Sequence, residues 1–404
     1  MVNVAVLGYG TVGSGVVEVL EGNRDLIAAR VGKDIHVKYI LDLRDFPGDP
    51  FADRVVHDVN VILEDPEIAV VCEVMGGVGA AYQFTKSALE KGKSVCTSNK
   101  ELVAARGTEL LAIARAHHCN YLFEASVGGG IPLIRPFVRS LTAERILSIV
   151  GILNGTTNYI LTRMEDEGAK LRDVLAKAQE LGYAERDPEA DVEGHDACRK
   201  ISILSNLMTG HYVDAEEVPT RGIMEISAKD FIFAEEAGYT IRLLGISRLE
   251  KGDRLSVLVA PHLVSVGSPL AAVKDVFNGV LITGNMVGDT MYYGRGAGKL
   301  PTASAVVSDV IDAVLTGTES VPGGWDDTKV ELLPIEETES RFFLRVKKDS
   351  IRKVLDAFPG GESILSDDVV DQAGFITPVL KTGDFDRTVE ALGETVLGKM
   401  RILN

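Results

Sequence analysis

The chain opens with a short apolar run, a glycine-rich turn and an amphipathic segment, and this order constrains the fold more than any other feature. Val2–Leu7 is almost continuously apolar, as is typical of a strand buried on both faces of a parallel sheet. A G-x-G-x-x-G turn follows and leads into a helical pattern. Its first glycine permits a tight turn, its second lets a pyrophosphate approach the backbone, and its third lets helix and strand pack. We therefore predict a dinucleotide site at Gly8, Gly10, Thr11, Val12 and Gly13.

The residues after the second predicted strand, His36–Leu41, bear on the choice of dinucleotide. An acid at this position hydrogen-bonds a ribose 2′-hydroxyl, whereas an arginine receives a 2′-phosphate. Asp42 and Arg44 are both present. The sequence therefore leaves NAD and NADP open, and a plain surface loop is the alternative to either role.

Strand and helix patterns then alternate, which predicts an α/β fold with a doubly wound parallel sheet of the Rossmann type. Strand Ser94–Thr97 places Thr97, Ser98 and Lys100 at its carboxyl end, where ligands bind in open α/β sheets. The other predicted elements are strand Ile68–Val74, helices 80–91 and 101–116, and strand Tyr121–Glu124. We expect this domain to end near residue 130 and to be joined by a returning helix at 300–315.

Length and composition limit the classes of function. A chain of 404 residues is too long for one ordinary core and predicts two or three domains. A net charge of -17 argues against binding to nucleic acid or to anionic lipid. The sequence shows neither a membrane-span pattern nor a signal peptide, and its four cysteines are scattered. We expect a cytoplasmic protein without a membrane partner.

Two turns beyond the first domain combine polar and glycine residues. The turn from Glu124 to Pro132 contains three consecutive glycines, and its carbonyls with one carboxylate suit a hard cation. A hinge between domains is the alternative. Later, strand Ile146–Leu153 enters the sequence NGTTN, whose hydroxyls and N–H groups at a helix start suit a ligand carboxylate. Here the alternative is that Asn154 and Thr156 are turn and cap residues only.

An acidic segment follows a predicted helix at Leu171–Leu181. Six carboxylates lie between Gly182 and Lys200, which is too polar and too broken for core. A helical pattern resumes at Asp196, so Asp196 and Lys200 share one helix face. Carboxylates suit an ammonium-bearing substrate, and a lysine beside a carboxylate serves in proton transfer. The alternative is a solvated loop with a surface ion pair.

The rest of the chain is mixed. We predict a helix at Ala228–Leu244, followed by strands at Arg254–Val259 and Val280–Gly284. A glycine-opened helix start at Gly294–Ser304 suits either a cofactor contact or tight packing. After a linker at 316–338, the pattern of residues 339–404 is β-α-β-β-α-β, which is typical of a small ferredoxin-like module.

Six separated motifs together resemble homoserine dehydrogenase across about residues 1–320. They are GYGTVG, TSNKELVA, ASVGGGIPLI, ILNGTTNYIL, GYAERDPEADVEGHDACRK and GRGAGKLPTASAVVSDV. The resemblance implies reversible NAD(P)-dependent interconversion of L-homoserine and L-aspartate 4-semialdehyde. It also implies an α+β catalytic and dimerisation domain at 131–299, and a homodimer or higher homo-oligomer.

The resemblance also implies roles for individual residues. Lys200 matches the acid/base, assisted by Asp196 and Lys100. The remaining matches are Glu185, Asp191, Asp196, Gly155, Thr156 and Tyr183 for substrate, Gly296 for the cofactor, and Glu124, Val127, Gly129 and Ile131 for a sodium ion. Two lysines in one pocket would lower each other's pKa. We interpret His195 as an exposed loop residue without a role.

Residues 339–404 resemble an ACT domain, a fold that senses amino acids, but with a departure. The usual Asp-x-Pro-Gly turn is replaced by Lys348-Asp349-Ser350-Ile351-Arg352, so feedback by threonine does not follow from the resemblance. Two other functions stay open. A different small-substrate dehydrogenase would not need the NGTTN and GYAERDP segments, and a nucleotide-bound sensor would bind cofactor without turnover.

Overall fold

The computed structural model describes residues 1–319 and 323–403, and these divide into two compact units. The first comprises Met1–Glu144, Ile203–Val213 and Gly294–Lys329, and the second comprises Arg145–Ser202, Asp214–Tyr293 and Val330–Asn404. Residues 320–322 of the predicted linker and residue 404 of the predicted C-terminal module lie outside the described residues.

The first part of the chain alternates strands and helices as predicted. In chain order it forms β1 (Val2–Leu7), α1 (Thr11–Gly22), α2 (Arg24–Val31), β2 (Ile35–Leu41), β3 (Val55–Val56), α3 (Asn60–Leu63), β4 (Ile68–Glu73), α4 (Gly79–Glu90), β5 (Ser94–Thr97), α5 (Lys100–Ala116) and β6 (Tyr121–Leu122).

These six strands form one parallel sheet in the order β3-β2-β1-β4-β5-β6. The order reverses between β1 and β4, and in such a sheet ligands bind outside the carboxyl ends of the strands at this point. The prediction of a doubly wound Rossmann sheet is confirmed. Its apolar strands are buried because helices cover both faces.

The remaining elements begin with β7 and end with β17. They are β7 (Ile146–Ile152), α6 (Gly155–Glu167), α7 (Leu171–Glu180), α8 (Glu189–Val192), α9 (His195–Thr209), α10 (Ala228–Glu236), β8 (Tyr239–Leu249), β9 (Leu255–Ser265), β10 (Phe277–Gly284), β11 (Gly288–Arg295), α11 (Lys299–Thr316), β12 (Glu339–Ser340), β13 (Phe342–Lys347), α12 (Ile351–Ala357), β14 (Glu362–Ile364), β15 (Gln372–Ile376), β16 (Leu380–Lys381), α13 (Thr382–Leu392) and β17 (Val396–Ile402).

The returning helix predicted at 300–315 is α11, and it belongs to the first unit. A Cβ on Gly15 of α1 would lie 2.9 Å from the carbonyl oxygen of Lys299 and 3.0 Å from the Cβ of Ala303. The two helices therefore pack closely at Gly15, and α11 also contacts β4 and β5 of the first sheet.

The second unit is built on a large mixed sheet in the order β11-β10-β7-β8-β9-β17-β13-β15-β14. Within it, β13, β14, β15 and β17 with α12 and α13 form the predicted β-α-β-β-α-β module. The module joins the rest of the sheet where β17 pairs in parallel with β9, Arg401 opposite His262. Its identity as an ACT-like domain stays a prediction.

The helix predicted at Ala228–Leu244 is wrong in its second half. Helix α10 ends at Glu236, and Gly238 follows with a φ of 77°, in the left-handed region that favours glycine. Residues Tyr239–Leu249 form β8, which pairs antiparallel with β9 along its whole length. Nearly every residue of β8 is at least partly shielded on both faces, so its sequence lacks the alternation that marks a strand.

Within the described residues, no helix is both long and apolar enough to span a bilayer. The four cysteines are all free and buried.

Candidate active site

The glycine-rich turn lies between β1 and α1, and its three glycines serve different purposes. Gly8 has a φ of 96°, and a Cβ on Gly13 would lie 1.8 Å from the carbonyl oxygen of Gly8. A Cβ on Gly10 would contact no heavy atom of the described chain within 4 Å. The fold therefore requires Gly8 and Gly13, whereas Gly10 borders open space. That space lies at the start of α1, where Thr11 and Val12 are the first helical residues, and helix N-termini bind phosphate.

Asp42 and Arg44 follow β2 and bind each other. The guanidinium of Arg44 donates from Nε and Nη2 to the two oxygens of Asp42, each at 3.0 Å. The backbone N–H of Tyr9, inside the glycine-rich turn, also donates to Asp42 at 2.9 Å. Hydrogen bonds from Arg44, with that of Tyr9, hold the pKa of Asp42 well below its usual range. Arg44 itself is 63% exposed, so Asp42 supports the turn and Arg44 faces solvent.

Glu73, at the carboxyl end of β4, was not predicted as a site residue. It accepts a hydrogen bond from the hydroxyl of Thr97 at 2.6 Å and one from the N–H of Met75 at 2.8 Å. The side chain is fully buried, and burial raises its pKa to about 7. The sequence signal for Glu73 is an acid at the last position of an otherwise apolar strand.

Glu73 is part of a polar network under the segment from Thr97 to Lys100. Thr97 accepts a hydrogen bond from the N–H of Asn99 at 2.9 Å, and Asn99 donates from Nδ2 to the carbonyl of Gly77 at 2.7 Å. Asn99 also caps α5 by accepting from Leu102. The network fixes Ser98 and places Lys100 in the first turn of α5.

The turn after β6 contacts the chain before α11. A Cβ on Gly129 would lie 2.4 Å from the carbonyl oxygen of Gly296, and one on Gly130 would lie 2.7 Å from the Cβ of Pro301. The structure therefore brings together two glycine segments that the sequence separates by more than 160 residues. Because the backbones touch, any side chain at Gly129 would push this turn away from Gly296.

Glu124 holds this turn by its carboxylate. Oε1 accepts the N–H groups of Leu133 and Ile134 at 2.6 and 2.8 Å, and Oε2 accepts that of Arg135 at 2.7 Å. Its own N–H donates to the buried carboxylate of Asp309 at 2.8 Å. Three backbone donors therefore already occupy the carboxylate that the sequence suggests for a cation.

Backbone oxygens in the same turn fit a cation better. Val127, Gly129 and Ile131 are buried, and no hydrogen bond from the described residues reaches their carbonyl oxygens. Buried carbonyls normally have a partner. Across residues 1–319 and 323–403 no cluster of three or more His, Cys, Asp or Glu side chains suits a metal. A cation here would depend on carbonyl oxygens.

In the second unit, Lys200 and Asp196 lie on the same face of α9, as predicted. The Nζ of Lys200 donates to Oδ2 of Asp196 at 2.7 Å and to the carbonyl of Leu153 at 2.8 Å. Lys200 is 8% exposed and Asp196 is 4% exposed. The alternative of a solvated surface pair is therefore wrong, since both groups are buried and directed at the end of β7.

Asn154 connects this pair to the acidic segment, a contact that the sequence does not predict. It does cap α6, because its Oδ1 accepts the N–H of Thr157 at 2.8 Å. Its Nδ2 donates to Asp191 at 2.7 Å and to Asp196 at 2.9 Å. The amide oxygen of Asn154 thus caps the helix, and its amide nitrogen donates to two carboxylates.

The other predicted substrate residues surround the start of α6. Thr156 donates from its hydroxyl to the carbonyl of Tyr183 at 2.8 Å, and the ring of Tyr183 packs on Tyr159 with centroids 5.0 Å apart. Gly155 is the first residue of α6, and a Cβ there would lie 2.8 Å from the carbonyl of Val276. The sequences NGTTN (154–158) and GYAERDP (182–188) therefore meet in space.

Two acidic-segment residues lie at the surface. The side chain of Glu185 is exposed and makes no hydrogen bond with the described residues, although its carbonyl accepts from Gln179 at 3.0 Å. His195 is exposed, as predicted, but it is the first residue of α9 and not part of a loop. Lys100 and Gly296 belong to the first unit, and Lys200 and Asp191 belong to the second.

Comparison with known proteins covers most of the chain. Residues 8–124 match the family described as the NAD-binding domain of homoserine dehydrogenase, and residues 132–311 match the family described as homoserine dehydrogenase. A homoserine dehydrogenase of Synechocystis is 44% identical over 358 residues, which are 85% of this chain and 82% of the relative.

Two solved structures agree. The crystal structure of a homoserine dehydrogenase from Thiobacillus denitrificans has a TM-score of 0.89 and 34% identity, covering 100% of this chain and 98% of its own. A hyperthermophilic archaeal homoserine dehydrogenase in complex with NADPH has a TM-score of 0.67 and 29% identity, covering 78% of this chain and 98% of its own. The chain therefore belongs to the homoserine dehydrogenase family of NAD(P)-dependent oxidoreductases, which act on a CH–OH group.

Proposed function

We propose that Lys200 is the group that exchanges a proton with the substrate oxygen when this chain interconverts L-homoserine and L-aspartate 4-semialdehyde. The observation that carries the proposal is the buried contact of Lys200 with Asp196 and the carbonyl of Leu153. These two acceptors fix the position of Nζ, and a fixed proton donor is what general acid catalysis requires.

The direction of proton transfer depends on the direction of the reaction. When the semialdehyde is reduced, the ammonium of Lys200 donates a proton to the aldehyde oxygen and becomes a neutral amine. When homoserine is oxidised, the neutral amine accepts the hydroxyl proton. The nicotinamide, when bound, accepts or supplies the hydride. Asp196 stabilises the ammonium form by its negative charge, and Lys100 is proposed as a second, assisting lysine.

The start of α6 and the acidic segment are proposed to hold the amino acid part of the substrate. Carboxylates at Asp191 and Glu185 suit its ammonium group, because charge-assisted hydrogen bonds are the strong ones. The N-terminal N–H groups of α6, at Gly155 and Thr156, suit its carboxylate. Tyr183 is proposed to shield this contact from water, since its ring lies against Tyr159.

The cofactor is proposed to bind along the carboxyl edge of the first sheet. Gly8, Gly10, Thr11, Val12 and Gly13 would hold the pyrophosphate, and Thr97, Ser98, Lys100 and Gly296 would lie toward the nicotinamide. Arg44 would receive a 2′-phosphate. The open space at Gly10 supports the first part, because neither the turn nor the helix requires a glycine there.

A sodium ion is proposed at the turn of Glu124, Val127, Gly129 and Ile131. Three buried carbonyl oxygens without hydrogen bonds support it. Hard cations bind oxygen ligands of this kind. Glu124 would contribute its backbone carbonyl oxygen to this site, since three N–H groups occupy its carboxylate.

Domain roles and assembly are also proposals. Residues 1–130 with 300–315 would bind dinucleotide, 131–299 would bind substrate and dimerise, 316–338 would link, and 339–404 would form an ACT-like domain. A homodimer is supported by β11, which lies at the edge of the large sheet, where a strand of a second copy could pair with it. A cytoplasmic location is supported by four free, buried cysteines.

The test is the absorbance of reduced nicotinamide with purified protein and L-homoserine, run in parallel with NAD and NADP. L-serine, which is one methylene shorter, and L-2-aminobutyrate, which lacks the hydroxyl, are the controls. We expect turnover with homoserine and none with 2-aminobutyrate. A protein that binds cofactor but turns over neither homoserine nor the semialdehyde would instead be a nucleotide-bound sensor.

A further inference from the structure

A cavity lies in the second unit, away from the residues discussed above. It has a volume of about 380 Å³ and is bounded by β9, by the segment Pro219–Arg221 and by β17 with α13 of the C-terminal module. Three cationic and two acidic side chains line it: Arg221, Lys399, Arg401, Glu225 and Asp386. None of them belongs to the proposed substrate, cofactor or cation sites.

Two of the three cations in this cavity are neutralised. Arg221 donates from Nη2 to Glu225, and Lys399 donates from Nζ to Asp386 at 2.8 Å. Arg401 has no carboxylate partner among the described residues. The three positive and two negative side chains of the lining leave one net positive charge, and Asp386 and Glu250 act on Arg401 by charge alone, without a hydrogen bond.

The geometry of Arg401 leaves part of its guanidinium available to a ligand. Its Nη2 donates to the hydroxyls of Thr338, at 3.0 Å, and Thr382. No hydrogen bond from Nε or Nη1 to the described residues is present. The guanidinium carbon lies 5.3 Å from the ring centroid of Phe342. Burial lowers the pKa of Arg401 to about 10, so the group is still charged at neutral pH.

Most of the remaining side chains of the cavity wall are apolar, and this selects the class of ligand. Leu258, Val259, Pro261, Phe385 and Met400 contribute hydrocarbon surface. A guanidinium binds a carboxylate with two parallel hydrogen bonds. A phosphate dianion would exceed the one net positive charge and would leave the apolar wall without a partner, whereas a carboxylate with a short hydrocarbon chain satisfies both.

One wall of the cavity touches the acidic segment of the active site. A Cβ on Gly222, next to Arg221, would lie 2.0 Å from the carbonyl oxygen of Val192, and that carbonyl accepts the N–H of Ile223 at 2.8 Å. Val192 follows Asp191 directly in α8. A ligand that moves the wall would therefore press on the backbone beside Asp191.

We propose that this cavity is an effector site for a small aliphatic monocarboxylate, which binds Arg401 and acts on the substrate site through Gly222 and Val192. The site lies between β9 and β17. It does not involve the turn at Lys348–Arg352, where the likeness to ACT domains would put a ligand.

Binding is measured by titration calorimetry and thermal unfolding of the full-length protein, with 3-methylbutanoate as probe. Its neutral amide and inorganic phosphate are run in parallel. We expect saturable binding of the carboxylate alone, weakened about 10-fold to 100-fold in Arg401→Met, since a charged hydrogen-bonded pair is lost. Arg387→Met, on the solvent side of the same module, is the matched control and should bind as wild type does.

The test is completed by the unfolding temperature of Arg401→Met and the affinity of Arg401→Lys for the probe. Without ligand, Arg401→Met should unfold at the same temperature as wild type or higher, because it removes a charge without a carboxylate partner. Arg401→Lys keeps the charge but not the planar fork, and should weaken binding about tenfold. Equal affinity in wild type and both Arg401 variants, or tighter binding of phosphate, would overturn the site. An unchanged KM for homoserine at saturating probe would overturn its effector role.

Discussion

The Nζ of Lys200 lies 2.7 Å from Oδ2 of Asp196, with both side chains buried at the end of β7. A buried lysine next to a buried carboxylate is costly to desolvate unless further hydrogen bonds complete the pair. The carbonyl of Leu153 and the amide of Asn154 supply them, at 2.8 and 2.9 Å. These hydrogen bonds hold Lys200 and Asp196 in position.

Asn154→Ser separates the two roles of Asn154, which caps α6 and donates to Asp191 and Asp196. Serine still caps α6, since its hydroxyl accepts the N–H of Thr157, but it cannot donate to Asp191 and Asp196 together. We expect kcat/KM for homoserine to fall about 10-fold to 100-fold and the free energy of unfolding to fall by about 1–3 kcal/mol, because buried charged acceptors lose a donor. Asn154→Ala should lose about 1 kcal/mol of stability in addition. Equal activity of wild type and Asn154→Ser would show that the bridge is not needed.

Gly10→Ala and Gly13→Ala should affect different properties. A methyl group at Gly13 would overlap the carbonyl of Gly8, so Gly13→Ala should unfold at a clearly lower temperature. At Gly10 the methyl group would meet only open space, so Gly10→Ala should fold normally and bind NAD and NADP more weakly. Thermal unfolding and cofactor fluorescence titration measure the two effects. Normal cofactor affinity in Gly10→Ala would contradict the proposed pyrophosphate position.

Arg44→Ala should change cofactor preference. Asp42 already accepts hydrogen bonds from Arg44 and from the N–H of Tyr9, so a ribose 2′-hydroxyl would have to compete for it. We therefore expect wild type to favour NADP. The variant should lose about tenfold or more in kcat/KM with NADP, the size of one charge-assisted contact, and lose little with NAD. Parallel losses with both cofactors would show that Arg44 supports the turn and does not read the 2′-phosphate.

Glu73→Gln should alter how stability depends on pH. The pKa of Glu73 is about 7 in the folded protein against an ordinary 4.5, so the folded state favours the protonated form. Wild type should therefore lose stability as pH rises between these values, by up to about 3 kcal/mol. Glutamine cannot ionise, so the free energy of unfolding of the variant relative to wild type should rise across this window. Urea denaturation at about pH 5 and about pH 8 measures it, and a constant difference would refute a raised pKa.

The parallel sheet was predictable because its strands are buried on both faces and are punctuated by glycine turns. β1 and β4 are continuous apolar runs, and the turn after β1 carries its own signature. The same burial concealed β8, whose sequence lacks alternation and was assigned to a helix. Gly238 marked the helix end, but an isolated glycine inside an apolar pattern is tolerated often enough to mislead.

The candidate site was predictable to the extent that its residues are adjacent in sequence. Asp196 and Lys200 are four positions apart on one helix, so local geometry was enough. Asn154 looks like any cap residue until Asp191 and Asp196 reach its amide. Likewise, the carboxylate of Glu124 looked available to a cation, because the N–H groups that occupy it become neighbours only when the turn folds back.

The most direct test of the account is chemical rescue of Lys200→Ala with methylamine. We measure homoserine oxidation with and without the amine, alongside Lys100→Ala and after confirming by circular dichroism that both variants fold. The account predicts a loss of about 10²-fold to 10⁴-fold in Lys200→Ala. Part of it should be restored by methylamine in proportion to its unprotonated fraction. Full activity of Lys200→Ala, or rescue confined to Lys100→Ala, would contradict the assignment and transfer the proton-exchange role to Lys100.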